Sequence, residues 1–95
     1  MVTRPMERDL QGKIITDARK RGCYVVKVIQ ASRAGVPDIL ICSHGRFIAV
    51  EVKRLKMKAK PLQDENAELI RKAGGIAVIV DSFEAWKAFC TETEI

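Results

Sequence analysis

Hydrophobic and polar residues change their period several times along the chain, and each change marks an element. Met6, Leu10, Ile14 and Ala18 recur every fourth position, the spacing of one face of an α-helix. Proline suits the first helical positions, so Pro5 places the helix start at Thr3 or Arg4, and Arg19-Lys20-Arg21-Gly22 supplies the stop. Residues 23–29 hold Tyr24, Val25, Val26, Val28 and Ile29, a density of aromatic and β-branched side chains that predicts a strand. A polar, loop-like stretch follows over residues 30–36. Two short apolar runs, residues 39–42 and 47–52, flank Ser43-His44-Gly45-Arg46 and form a hairpin, with His44 as a turn residue. Pro37 cannot donate to a ladder and belongs at a strand start or an edge.

Pro61 opens a second helix whose apolar positions are Leu62, Ala67, Leu69, Ile70 and Ala73, and Gly74-Gly75 closes it. Residues 76–80 are wholly apolar and read as a strand parallel to the second hairpin strand, reached by a right-handed crossover. Ser82 caps a last helix with Phe83, Trp86, Phe89 and Cys90 on one side. The expectation is a single α/β domain over residues 1–95, order α-β-β-β-α-β-α, with a mixed four-stranded sheet flanked by helices.

Composition narrows the function classes. The chain is 47% hydrophobic and 31% charged, as ordinary globular proteins are. No apolar run approaches the roughly 20 residues that span a bilayer, and the N-terminus lacks the apolar core of a secretory signal, so a cytoplasmic address and no membrane partner are expected. Cys23, Cys42 and Cys90 are odd in number and widely spaced, which predicts reduced core residues and not a disulfide framework. A net charge of +5 favours polyanionic partners. Much of it is local, because residues 53–60 read Lys-Arg-Leu-Lys-Met-Lys-Ala-Lys.

The hairpin concentrates the candidate chemistry. A turn centred between His44 and Gly45 puts Asp38 opposite Glu51 on one face, with β-carbons ~4.5–5.5 Å apart, a repulsive pairing unless a cation sits between them. Lys53, two residues beyond Glu51, shares that face, while Ile39, Ile41, Ile48, Val50 and Val52 occupy the core side and leave the charged triplet looking outward. Two carboxylates suit magnesium or manganese, and with an ammonium beside them they are the parts of phosphodiester hydrolysis. Glu7 lies seven residues before Ile14, and Gln63 seven before Ile70, so both project from the packed sides of their helices toward the sheet. Glu7 is either a further carboxylate for the metal or a first-turn acid favoured by the helix dipole, and Gln63 either orients water or phosphate or satisfies backbone groups at the helix start.

Gly35-Val36-Pro37-Asp38-Ile39-Leu40, followed by Ile48-Ala49-Val50-Glu51-Val52-Lys53, resembles the signature of the PD-(D/E)xK nucleases. Together with Glu7 on the first helix, Gln63 after a basic segment and Gly74-Gly75 before the last strand, the whole chain resembles the virus-type replication-repair nuclease (VRR-NUC) family. That resemblance implies a restriction-endonuclease-like core and a Mg2+- or Mn2+-dependent endonuclease. Asp38, Glu51 and the backbone carbonyl of Val52 would bind the metal with help from Glu7, Lys53 would be catalytic and Gln63 would support the site. It further implies branched DNA, notably four-way junctions, as substrate, and a homodimer. The chain departs from the family after Gln63, where Asn66 and Ala67 stand in the region that often carries an aromatic residue.

Arg33, Arg54, Lys56, Lys58 and Lys60 are the expected phosphate contacts, which hold a backbone without reading bases. The last helix around Phe83, Trp86 and Phe89, or the first helix, offers a dimer surface, although Trp86 also suits the core. The competing readings are a DNA-binding module that keeps the fold without cutting, and a cytosolic protein that binds another phosphorylated or acidic ligand through the basic segment.

Overall fold

The computed structural model describes residues 4–53 and 60–95 of the chain. Its elements are α1 (Arg4–Lys20), β1 (Tyr24–Lys27), β2 (Ile39–Ser43), β3 (Arg46–Val52), α2 (Pro61–Lys72), β4 (Ile76–Val80) and α3 (Phe83–Thr93), the order the sequence predicts. The four strands form one sheet in sequence order, with β1–β2 and β2–β3 antiparallel and β3–β4 parallel. The hairpin register is fixed by its turn, in which His44 and Gly45 both take positive φ, and it pairs Ile39 with Val50 and Ser43 with Arg46.

Helix α1 lies over β1, β2 and β3, and α3 packs on β4 and on α1. Ile14 and Ala18 meet Ile39, Ile41, Ile48, Val50 and Val52 in a core closed by Val80, Trp86, Phe89 and Cys90. Trp86 is 0% and Phe89 8% exposed, so both rings are spent on the core, the use the sequence also allowed for Trp86. Its indole Nε1 donates to Asp17 Oδ2 at 2.7 Å, and Arg21 Nε reaches the same oxygen at 2.6 Å. One carboxylate therefore pins α3 to α1. Ser82 caps α3 by accepting the Ala85 amide at 3.0 Å. No helix among the described residues is long and apolar enough to cross a membrane.

Three local expectations are corrected. The first strand ends at Lys27, and Ile29 is 89% exposed, because after the Val28 amide bonds to Asp38 O at 2.8 Å the chain leaves the sheet edge. Cys42 is exposed, since its strand position points away from the α1–α3 layer, whereas Cys23 and Cys90 are buried; all three thiols are free. In α2 it is Asn66 that is buried, while Leu62 and Leu69 remain exposed. Asn66 Nδ2 donates to Ala34 O at 2.9 Å and Leu62 O at 2.8 Å, satisfying two carbonyls where the 34–35 backbone crosses the helix. Gly35 permits that crossing: its φ is +82°, and a Cβ there would sit 2.6 Å from Leu62 O.

Candidate active site

The site lies where the sheet's second face meets the first turn of α2. Asp38 immediately precedes β2, one position beyond the Ile39–Val50 pair, which sets it beside Glu51. Two segments hold it: its carbonyl accepts the Val28 amide just past β1, and its Oδ2 accepts the Val52 amide of β3 at 2.9 Å. Glu51 stands on β3, only 5% exposed. Its Oε2 accepts Gln63 Nε2 at 2.7 Å and lies 3.4 Å from Lys53 Nζ, while its Oε1 is buried without a partner among the described residues. The expected outward-looking triplet is thus corrected. Helix α2 brings Gln63 down onto Glu51, so this end of the hairpin's second face is covered and Glu51 is buried.

Gln63 works in two directions. Its Oε1 accepts the Lys60 amide at 2.9 Å, which substitutes for a side-chain cap on α2, and its Nε2 holds Glu51. Lys53 is fixed through its backbone, whose amide donates to Val80 O at 2.9 Å. Val52 buries its side chain in the core and gives its amide to Asp38, so only its main chain borders the site.

Burial, then the charge of Asp38, push the Glu51 carboxyl up to about 7, against the pull of Lys53. Asp38 is also raised, chiefly by burial, with the Val52 amide and Lys53 opposing and the charge of Glu7 adding to the rise. Glu7, half-buried in the first turn of α1, therefore faces Asp38 electrostatically. Two crowded carboxyls that resist ionising together, one with an unpartnered buried oxygen, fit a cation. Among the described residues no three His, Cys, Asp or Glu side chains form a ready ligand set. Magnesium asks for less, binding through one or two carboxylates with substrate phosphate and water.

Of the expected phosphate contacts, Arg33 is exposed on the wall of a groove beside α2, and Lys60 is exposed at the start of α2. Arg54, Lys56 and Lys58 lie outside the described residues. The basic segment nonetheless leaves from Lys53 and returns at Lys60, both tied to Glu51, the second through Gln63. Sequence reasoning passed over Asn66 and Gly35 as structural parts of the site. The signal for Asn66 was a polar residue one turn from Leu62 on a predicted apolar side; for Gly35 it was a place at the head of the Gly-Val-Pro-Asp motif, which does not reveal the helix that crosses it.

Solved structures with this architecture exist. A structure titled VRR_NUC domain superposes with a TM-score of 0.81 at 28% identity, covering 94% of this chain and 97% of its own. The chain has the VRR-NUC fold. A second VRR_NUC domain protein gives a TM-score of 0.76 at 19% identity, over 90% of this chain and 85% of that one. The Archaeoglobus fulgidus Holliday junction resolvase Hjc gives 0.61 at 20% identity, over 79% of this chain and 67% of its own, and shares the restriction-endonuclease-like fold. No family model and no curated protein matches the sequence.

Proposed function

We propose that this VRR-NUC domain is a metal-dependent endodeoxyribonuclease that hydrolyses phosphodiester bonds in branched DNA, four-way junctions above all, as a homodimer. The observation that carries the reading is the buried pair Asp38 and Glu51, with Glu51 Oε1 unpartnered and Lys53 Nζ 3.4 Å from Oε2. The similarity to a Holliday junction resolvase supports the choice of substrate.

Asp38 and Glu51 would hold the cation, with the Val52 carbonyl and Glu7 alongside. When bound, magnesium or manganese supplies positive charge that polarises the phosphate and acidifies water. Gln63 fixes Glu51 by one oxygen and leaves the other for that cation. The Lys53 ammonium, held beside Glu51, stands where it can position the attacking water and offset charge that grows on the phosphate oxygens in the transition state. Arg33, Lys60 and the basic segment between Lys53 and Lys60 would grip the DNA backbone on either side.

Labelled linear, flap and four-way-junction DNA, incubated with wild type and with Asp38→Ala in magnesium, manganese or chelator, tests the proposal. Metal-dependent cutting of the junction that the variant loses is expected. Binding without cutting in every condition would establish the inert DNA-binding module instead.

A further inference from the structure

Helix α1 carries charge that nothing in the fold uses. At about 100° per residue, Arg8 and Arg19, about three turns apart, share one edge of its outer face, and Lys13 and Lys20, about two turns apart, share the other. All four are exposed, and among the described residues none of them makes a hydrogen bond or an ion pair. The acids of the helix are placed differently. Glu7 faces Asp38, and Asp17 is committed to Arg21 and Trp86, which leaves Asp9 as the one exposed carboxylate against four cations. On the exposed turns of α2 and α3 acids outnumber bases, and there Arg71 pairs with Glu68 while Lys87 lies over the Phe83 ring.

Between the two rows of cations the helix surface is low. Gly12 and Thr16 lie there, and a Cβ on Gly12 would meet no atom within 4 Å. With Lys13, Lys20 and Phe83 at the start of α3, these two residues border an open groove. From Arg8 to Lys20 the rows extend ~18 Å at ~1.5 Å per residue, about half a turn of duplex DNA. The helix begins at the active site, where Glu7 faces Asp38, but its outer face points away from it. Helix α1 packs on the core face of the sheet, whereas Glu51 and Gln63 meet on the other.

We infer that the outer face of α1 holds the phosphate backbone of a second arm of a branched DNA whose first arm lies at Asp38 and Glu51. A regular polyanion is the partner that answers two rows of uncommitted cations, and it does so without base contacts. A linear duplex cannot occupy both places, because DNA is stiff over about 150 base pairs and the two places lie on opposite sides of the sheet. A four-way junction can, since its arms diverge from the point at which it is cut. The α1 face therefore contributes the preference for branched over linear DNA and takes no part in the hydrolysis. The inference rests on the branched-DNA reading of the proposed function and deepens it by naming the surface that reads the branch.

Anisotropy titrations of labelled four-way-junction and linear duplex DNA with the full chain, in chelator and over a range of salt, test it. The variant combines Lys13→Gln and Lys20→Gln, exposed positions at which glutamine keeps the helix propensity of lysine. Lys72→Gln, in the last turn of α2, is the control. Wild type should bind the junction more tightly than the duplex. The variant, with unchanged circular dichroism and sedimentation, should bind the junction at least about tenfold more weakly, with a salt slope shallower by about 2. Its duplex affinity should move less than about twofold, and the control should change neither. Equal weakening on both DNAs, no weakening on the junction, or a wild type without preference would overturn the inference. So would a variant that sediments differently from wild type, which gives the face to a second copy of the chain. Cutting in magnesium reads the nuclease separately: if no sample cuts any DNA the enzymatic reading falls, and the binding comparison in chelator still decides the role of α1.

Discussion

Glu51→Gln should make the metal-free protein more stable above neutral pH. The wild-type carboxyl is 5% exposed, has one oxygen without a partner and ionises near 7 in the fold, against 4.5 as its ordinary value. Between those values the folded protein keeps a proton that the unfolded chain has released, so stability falls as pH rises across this window. Above it the full penalty stands, about 3 kcal/mol at about 1.4 kcal/mol for each factor of ten. A neutral glutamine avoids the penalty and still offers an oxygen to Gln63 Nε2. For a domain of this size that corresponds to a melting temperature higher by roughly 10 °C or more. Thermal or urea unfolding in chelator at about pH 8 reads the gap, which should close as pH falls toward the unfolded carboxylate range. Saturating magnesium should also narrow it, because binding at about 100 times Kd stabilises wild type by about 2.7 kcal/mol and the variant far less. A variant no more stable than wild type at about pH 8 in chelator would refute the claim that ionised Glu51 is strained without a cation.

Lys53→Met removes the ammonium beside Glu51 and should lower kcat for junction cutting about 100-fold or more with KM little changed, as single-turnover kinetics would show. Asn66→Leu keeps the side-chain shape but strips the hydrogen bonds from Ala34 O and Leu62 O; urea unfolding should show a loss of about 2 kcal/mol, with weaker cutting as Asp38 and Gln63 lose their common anchor. Burial works against ionised Asp17, but the hydrogen bonds from Arg21 and Trp86 outweigh it and lower its pKa. The stability it contributes is present above 3.8 and lost as pH falls through the folded value, so acid unfolding followed by Trp86 fluorescence should begin at higher pH in Asp17→Asn, where that contribution is already gone.

The hairpin was legible because its information is local. Alternating apolar residues and a His44-Gly45 turn set one register, and that register alone brings Asp38 to Glu51 and aligns Lys53 with them. Helical periodicity likewise carried Gln63 to Glu51 and Glu7 to within reach of Asp38's field. What was illegible depends on which element covers which face. The second face of the sheet looked solvated from strand alternation alone, yet α2 covers its β4 side, buries Glu51 and leaves Cys42 open. Asn66 was hidden for the same reason, since its value lies in two carbonyls, one of them 32 residues away in sequence. Ile29 has the composition of a strand residue, but pairing ends before it, and composition does not count hydrogen bonds.

Cleavage of a four-way junction as a function of magnesium concentration, by wild type beside Glu51→Gln, bears most directly on the claim that the Asp38–Glu51 pair holds the catalytic cation. Wild type should be silent in chelator and cut with a rate that rises and saturates as magnesium is added. Glu51→Gln, folded and still able to bind the junction, should stay at least about 1000-fold slower at every concentration. Cutting by wild type in chelator, or by Glu51→Gln at the wild-type rate, would contradict it.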